Sequence, residues 1–350
     1  MMKVLVLGIN GFIGHHLTRA ILEKSDWDVF GMDLGDDRLD FTRGNPRFHF
    51  VEGDVGISRE WIEYHIKKCD VVLPLVAIAT PKLYVEDPVR VFELDFEENL
   101  KVVRQCLKYG KRIIFPSTSE VYGMCADPEF LEEESPLVYG PIKKERWIYA
   151  CAKQLLDRVI WAYGHHDKLS FTLFRPFNWI GPRLDSIEAA KEGSSRVVTQ
   201  FIADLYFQRP IALVDGGSQR RCFTYVDDGI DALMRIIADQ DRNCQGRIFN
   251  VGNPANDCSV KELAMMLKEL FMAHPDHRHD KVYSELRDVP SESFYGKGYQ
   301  DITTRKPSIE KARKLLGWEP KVALQDALQR TLNAFLAECQ EPAPGGACKT

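Results

Sequence analysis

Residues 3–14, Lys-Val-Leu-Val-Leu-Gly-Ile-Asn-Gly-Phe-Ile-Gly, constrain the fold more than any other stretch of this chain. An apolar run rich in Val and Leu meets three glycines, Gly8, Gly11 and Gly14, and an apolar helical spacing (Phe12, Ile13, Leu17, Ile21, Leu22) follows at once. The pattern predicts a buried parallel strand that turns directly into a helix N-terminus. Backbone N–H groups and the helix dipole at such a place receive a dinucleotide pyrophosphate. Gly8 permits the tight turn, Gly11 lets the phosphates approach the backbone, and Gly14 lets the helix lie close on the strand. Phe12 and Ile13 of the same turn join them as cofactor-binding candidates.

Residues 29–33 read as a second strand ending in Asp33, about 25 residues after Gly8. A carboxylate there accepts hydrogen bonds from both ribose hydroxyls and repels a 2′-phosphate, which selects NAD over NADP. Arg38 and Arg43 lie downstream and are the cations that would serve a phosphate instead. Further strands and helices alternate over 48–51, 58–68, 70–76, 89–109 and 111–116, followed by a long helix from about 147 and a strand at 171–175. That alternation predicts an α/β fold with a doubly wound parallel sheet. Beyond Pro176 the texture changes to shorter elements with more Gly, Pro and Arg. The expected division is a Rossmann domain over 1–177, to which 222–254 partly returns, and a smaller substrate lobe over 178–221 and 255–338. A disordered tail is expected over 339–350.

The 350 residues are 45% hydrophobic and 28% charged, with a net charge of −5. That balance argues against nucleic acid or an anionic membrane as partner. The most apolar stretch, 71–79, is interrupted by Pro74 and too short to span a bilayer. With the first strand beginning at residue 3 there is no basic, cleavable leader, so a cytoplasmic location is expected. Nine scattered cysteines include no C-x-x-C pair, which predicts reduced thiols rather than a zinc or disulfide framework. His274, His277 and His279 flank a proline and fit no helical metal motif.

Tyr-x-x-x-Lys occurs three times, at Tyr64/Lys68, Tyr139/Lys143 and Tyr149/Lys153. The chemistry needs both side chains on one face of a helix, one turn apart. Pro141 interrupts the second pair, and the first precedes the wrong strand. Tyr149 opens an amphipathic run directly after a strand ending in Ser117-Thr118-Ser119-Glu120. Hydroxyls at the C-terminal end of such a strand face the ligand crevice. A hydroxyl there can hold a sugar alcohol while Tyr149 takes its proton, with Lys153 favouring the phenolate. Glu120 is the more discriminating residue, because an alcohol dehydrogenase has no need of an acid there. A substrate carboxylate would give it a purpose, through a bridging water or like-charge destabilisation.

Several segments resemble extended short-chain dehydrogenases that act on nucleotide sugars: Thr118-Ser-Glu-Val-Tyr-Gly123, Arg175-Pro-Phe-Asn178-Trp-Ile-Gly-Pro-Arg183, Gly216-Gly-Ser-Gln-Arg-Arg221, Arg305-Lys-Pro-Ser-Ile309 and Leu316-Gly-Trp-Glu-Pro320. The G-x-x-G-x-x-G spacing is typical of that superfamily. Leu73-Pro-Leu-Val-Ala-Ile-Ala-Thr-Pro81 and residues 91–100 resemble more narrowly the UDP-glucuronic acid decarboxylases. The likeness is to the decarboxylase domain of bacterial bifunctional polymyxin-resistance proteins and to free-standing UDP-4-ketopentose/UDP-xylose synthases, and it covers about residues 3 to 335.

The resemblance implies that Asp54 and Val55 meet the adenine and that Ala77 lines the cofactor site. Thr118 and Tyr149 would address the sugar 4-hydroxyl, and Lys153 would support the tyrosine and the nicotinamide ribose. Ser119 and Glu120 would sit beside the C5 carboxylate, with Arg305 as proton donor to C5. Asn178, Arg221 and Tyr299 would hold the UDP portion, with Arg196 nearby. A homodimer is implied as well. Two departures stand out: Met1 leads directly into the first strand, so no formyltransferase domain is expected before it, and Ala212 occupies the place of a lysine near the nucleotide. Competing expectations are a 4-epimerase or 4,6-dehydratase on the same scaffold, and an NAD(H)-sensing regulator, which would commonly lose the Tyr or the Lys.

Overall fold

A computed structural model of the chain describes residues 1–275 and 285–340. Its centre is a sheet of seven parallel strands: β1 Lys3–Leu7, β2 Asp28–Asp33, β3 Phe48–Glu52, β4 Val71–Pro74, β5 Arg112–Pro116, β6 Phe171–Pro176 and a seventh strand, Arg247–Val251. Their spatial order is seventh-β6-β5-β4-β1-β2-β3. The chain winds outward from β1 to β3, then crosses over to β4 and winds the other way. The crevice at the carboxyl ends of β1 and β4 is therefore the topological switch point, where ligands of open α/β sheets bind.

Strand alternation divides the core in two. Val4 and Val6 of β1, Val71 and Leu73 of β4 and Phe174 of β6 face helices Phe12–Lys24 and Val226–Ala238. Leu5, Leu7, Val72, Ile113, Phe115 and Leu173 face helices Arg59–Lys68, Asn99–Lys108 and Trp147–His166. Each such side chain stabilises the fold by about 1.5–3 kcal/mol on burial, so strands buried on both faces read as continuous apolar runs.

After β6 the chain forms short sheets. Trp179–Ile180 pairs with Thr224–Tyr225, and Ile211–Val214 with Leu286–Val289. Arg220–Cys222 lies between Asp257–Ser259 and Thr304–Arg305. Helix Val260–Ala273 begins with a reciprocal capping box between Ser259 and Glu262. The last helix, Leu324–Gln340, carries Cys339, so the tail predicted from residue 339 is helical at its first two positions. Leu328, Leu332, Phe335 and Leu336 bury that helix's apolar face. Residues 341–350, and His277 and His279 of the histidine cluster, lie outside the described residues.

The helix predicted over 89–109 is three segments: Pro88–Phe92, a π-helical turn Glu93–Glu98, and Asn99–Lys108. The wider turn frees a carbonyl, and the Asn99 side-chain amide donates to Leu94 O at 2.9 Å and to Val76 O at 3.1 Å. Among the described residues no helix is long and apolar enough to cross a membrane.

Candidate active site

A cleft of about 970 Å³ runs along the carboxyl ends of the strands, from the glycine turn to the short sheets after β6. At its cofactor end, Gly8 has φ +83°, and a Cβ there would stand 3.0 Å from the backbone of Leu75 and Val76. At Gly14 a Cβ would meet the Gly8 carbonyl oxygen at 2.4 Å, so the helix sits on the turn at a distance only glycine allows. Helix Phe12–Lys24 starts at Gly11 with no side-chain cap and no acid in its first turn. Its first N–H groups are left to an anion, and a pyrophosphate fits that donor set.

Gly8, Gly11, Phe12, Ile13, Gly14 and Ala77 line the cleft. Asp33, the last residue of β2, and Asp54 and Val55, just past β3, lie outside its lining. Asp33 accepts from the Asn10 and Leu34 backbone N–H groups at 2.7 and 2.8 Å, and burial pushes its carboxyl above the ordinary range. Asp54 accepts from Gly56 N–H at 2.7 Å. The two cations weighed for a phosphate are engaged elsewhere: Arg38 donates to Arg183 O at 2.9 Å, and exposed Arg43 pairs with Asp40 at 2.8 Å.

The middle of the cleft brings Thr118, Ser119, Glu120, Tyr149, Lys153 and Arg305 together. Tyr149 and Lys153 share one face of helix Trp147–His166, both buried. The other two Tyr-x-x-x-Lys candidates are elsewhere: Tyr64 is exposed, and the Tyr139 hydroxyl donates to Val121 O at 2.7 Å. Ser117 lines the cleft with its neighbours, and its hydroxyl donates to Asp157 at 2.7 Å, bracing the end of β5 against the helix.

Lys153 donates to Pro116 O at 3.3 Å and pairs with Asp95 at 3.3 Å. From the sequence, Lys153 is expected to draw the tyrosine toward its phenolate. In the protein burial, then Asp95 and Glu120, push the Tyr149 hydroxyl up, while the Thr118 hydroxyl pulls it down. The cation expected to favour the phenolate is already matched by a carboxylate.

Glu120 is held from both sides. Its Oε2 accepts from Arg146 Nη2 at 2.6 Å and its Oε1 from Arg305 Nη1 at 2.9 Å. Burial alone would raise its carboxyl, but the two guanidinium groups outweigh that and hold it below the usual range. Two buried cations against one carboxylate leave a net positive charge in the middle of the cleft. Arg305 also reaches Ser119 Oγ at 3.4 Å and Asn178 Oδ1 at 3.5 Å. Arg305 is buried on strand Thr304–Arg305.

Asn178, Arg196, Arg221 and Tyr299 also line the cleft, Arg196 with its guanidinium 5.5 Å from the Phe12 ring. Arg221 is buried and donates to Asp301 at 2.6 Å and to Ile302 O at 2.7 Å. Arg196 pairs with Asp185 at 2.9 Å, and Tyr299 stacks on Tyr295 with ring centroids 4.1 Å apart.

Arg146 and Asp95 were not singled out in the sequence. Arg146 had a signal, since it is the N-cap of the helix that carries Tyr149, three residues before it. Among the described residues no group of three or more His, Cys, Asp or Glu is placed to hold a metal ion.

The switch-point cleft, the glycine turn and the Tyr149/Lys153 pair beside strand hydroxyls define an extended short-chain dehydrogenase/reductase. The chain belongs to the NAD dependent epimerase/dehydratase family, whose model matches residues 4–252, and its cofactor is NAD. It is similar to the PbgP3 protein of Burkholderia pseudomallei, at 56% identity over 95% of this chain and 96% of that one, with a TM-score of 0.86. Two more distant structures share the fold. UDP-glucuronic acid 4-epimerase of Bacillus cereus, solved with UDP-glucuronic acid and NAD, is 22% identical over 96% of this chain and 100% of that one, with a TM-score of 0.80. UDP-glucose 4-epimerase of Thermotoga maritima, solved with UDP-glucose, is 24% identical over 97% and 100%, with a TM-score of 0.79.

Proposed function

We propose that the chain oxidatively decarboxylates UDP-glucuronic acid through a UDP-4-keto-hexuronate, giving UDP-4-ketopentose with NADH and, after re-reduction, UDP-xylose. The observation that carries this reading is the buried Arg146–Glu120–Arg305 cluster beside Thr118 and Tyr149. It has excess positive charge for a substrate carboxylate, next to the groups that handle the sugar alcohol. The 56% identity to PbgP3 and the UDP-glucuronic acid bound by the Bacillus cereus enzyme agree with it.

Gly8, Gly11, Phe12, Ile13, Gly14 and Ala77 would hold the cofactor, with Asp33 at the adenosine ribose and Asp54 and Val55 at the adenine. Bound NAD⁺ supplies the hydride acceptor for C4 and, as NADH, the donor that would convert ketopentose to UDP-xylose. Thr118 holds the sugar 4-hydroxyl and the Tyr149 oxygen takes its proton. The resulting C4 ketone makes the C5 carboxylate a β-keto acid. Its C–C bond breaks, carbon dioxide leaves, and the electron pair passes into an enolate that nearby donors stabilise. Arg305, or a water it positions, returns a proton to C5, with Ser119 and Glu120 fixing its guanidinium. Asn178, Arg196, Arg221 and Tyr299 are assigned to the UDP portion, the guanidinium groups suiting the pyrophosphate.

Purified protein with NAD⁺ tests the assignment when offered UDP-glucuronic acid and UDP-glucose in parallel. The acid sugar should give NADH with a UDP-4-ketopentose, UDP-xylose, or both, in the proton NMR spectrum. Turnover of UDP-glucose alone would overturn the assignment.

A further inference from the structure

The acid beside Lys153 comes from an unusual place. Asp95 lies in the π-helical turn Glu93–Glu98, fully buried, with Oδ2 accepting from Ile78 N–H at 2.9 Å and Oδ1 3.3 Å from Lys153 Nζ. Oδ1 has no hydrogen-bond partner apart from that ion pair. Turns of this kind, inserted in α-helices, recur at functional sites, and a buried carboxylate is costly unless something answers its charge.

We propose that Asp95 is a positioning residue of the oxidation step, pinning the Lys153 ammonium against the Pro116 carbonyl and offsetting the charge by which it favours the Tyr149 phenolate. The inference rests on Tyr149 being the proton acceptor.

The groups around Tyr149 come from every side. Asp95 faces it from the π turn, and Glu120 and the Thr118 hydroxyl from the segment after β5. Tyr84 stacks on it at 4.6 Å from helix Leu83–Glu86. Lys153 lies 6.0 Å from its ring centroid on the same helix, and Arg196, 5.5 Å from the Phe12 ring, adds a second positive charge. Asp95 and Glu120 oppose the phenolate; Lys153, Arg196 and the Thr118 hydroxyl favour it. Burial pushes the Asp95 carboxyl up, and the Lys153 ammonium and Ile78 N–H draw it back. With Asp95 in place, Lys153 is a located but largely matched charge. With NAD⁺ bound, the nicotinamide cation would add to the excess charge of the Arg146–Glu120–Arg305 cluster, and would favour the phenolate where oxidised cofactor is bound.

The test is the ultraviolet difference absorbance of tyrosinate across pH in the NAD⁺-loaded protein, wild type against Asp95→Asn. Each is referenced to its Tyr149→Phe counterpart, which removes the other tyrosines. Asp95→Asn should move the Tyr149 transition down by about one pH unit or more. An unchanged or raised transition would overturn the proposal. Should Asp95→Asn not fold, Lys153→Met is compared with Lys153→Met/Asp95→Asn, since a buried pair removed together is better tolerated than one partner alone. The double variant should hold more Tyr149 tyrosinate at a given pH, and equal amounts would refute the role. No sugar enters the measurement, so failure of UDP-glucuronic acid as substrate is read separately.

Discussion

Glu120 sits between two guanidinium groups, and removing one of them leaves buried charge with less to answer it. Arg146 is 1% exposed, so Arg146→Met takes a cation from a place water does not reach. Breaking a buried pair in this way costs about 3–5 kcal/mol, and the urea unfolding midpoint should fall accordingly. Tyr149→Phe is the opposite kind of change, sparing the packing against Tyr84 and removing the proton acceptor. Its kcat for UDP-glucuronic acid oxidation should drop by about 10²–10⁴, measured as NADH formation, while the melting temperature stays near that of the parent. Equal loss of stability in both variants would contradict the division between a charge-holding and a proton-handling residue.

Among the elements, the strand–turn–helix at the N-terminus is the most exacting. Gly14→Ala places a methyl 2.4 Å from the Gly8 carbonyl oxygen, and no rotamer can relieve a backbone clash. The helix must move off the turn, so NAD⁺ should lose its stabilising effect in a thermal melt while the chain without cofactor melts lower as well. This element was legible because its glycine spacing and its strand and helix periods occur together. The π-helical turn was not. One extra residue in a turn rotates the following face by about 100°, so a 3.6-residue period over 89–109 leaves Asp95 looking like one more surface acid. Arg146 escaped notice because Tyr-x-x-x-Lys directs attention forward along the helix rather than back one turn. The Asp157 partner of Ser117 was not legible, because nothing local at a strand end marks a carboxylate 40 residues away. The meeting of Arg305 with Ser119 and Glu120 spans about 185 residues; it rested on resemblance and not on any local pattern.

At the scale of the whole molecule, acid stability is set partly by histidines at the start of the first helix. Burial first, then the charge of His16, pushes the His15 ring down to about 3, and burial lowers His16 as well. The unfolded chain binds these protons near pH 6.5 and the folded chain does not. Stability is therefore lost as pH falls below about 6.5, for His15 by up to about 1.4 kcal/mol per pH unit until the folded ring itself titrates. Urea unfolding at pH 7 and pH 5 should show this loss, and His15→Gln should reduce it. The central claim, that this cleft removes a carboxyl group from its sugar, is tested most directly with UDP-glucuronic acid carrying carbon-13 in the carboxylate. Incubated with the protein and NAD⁺, the label should leave as carbon dioxide in step with UDP-pentose formation. Label retained in a UDP-hexuronate, with the C4 configuration inverted, would contradict the account and make the protein an epimerase.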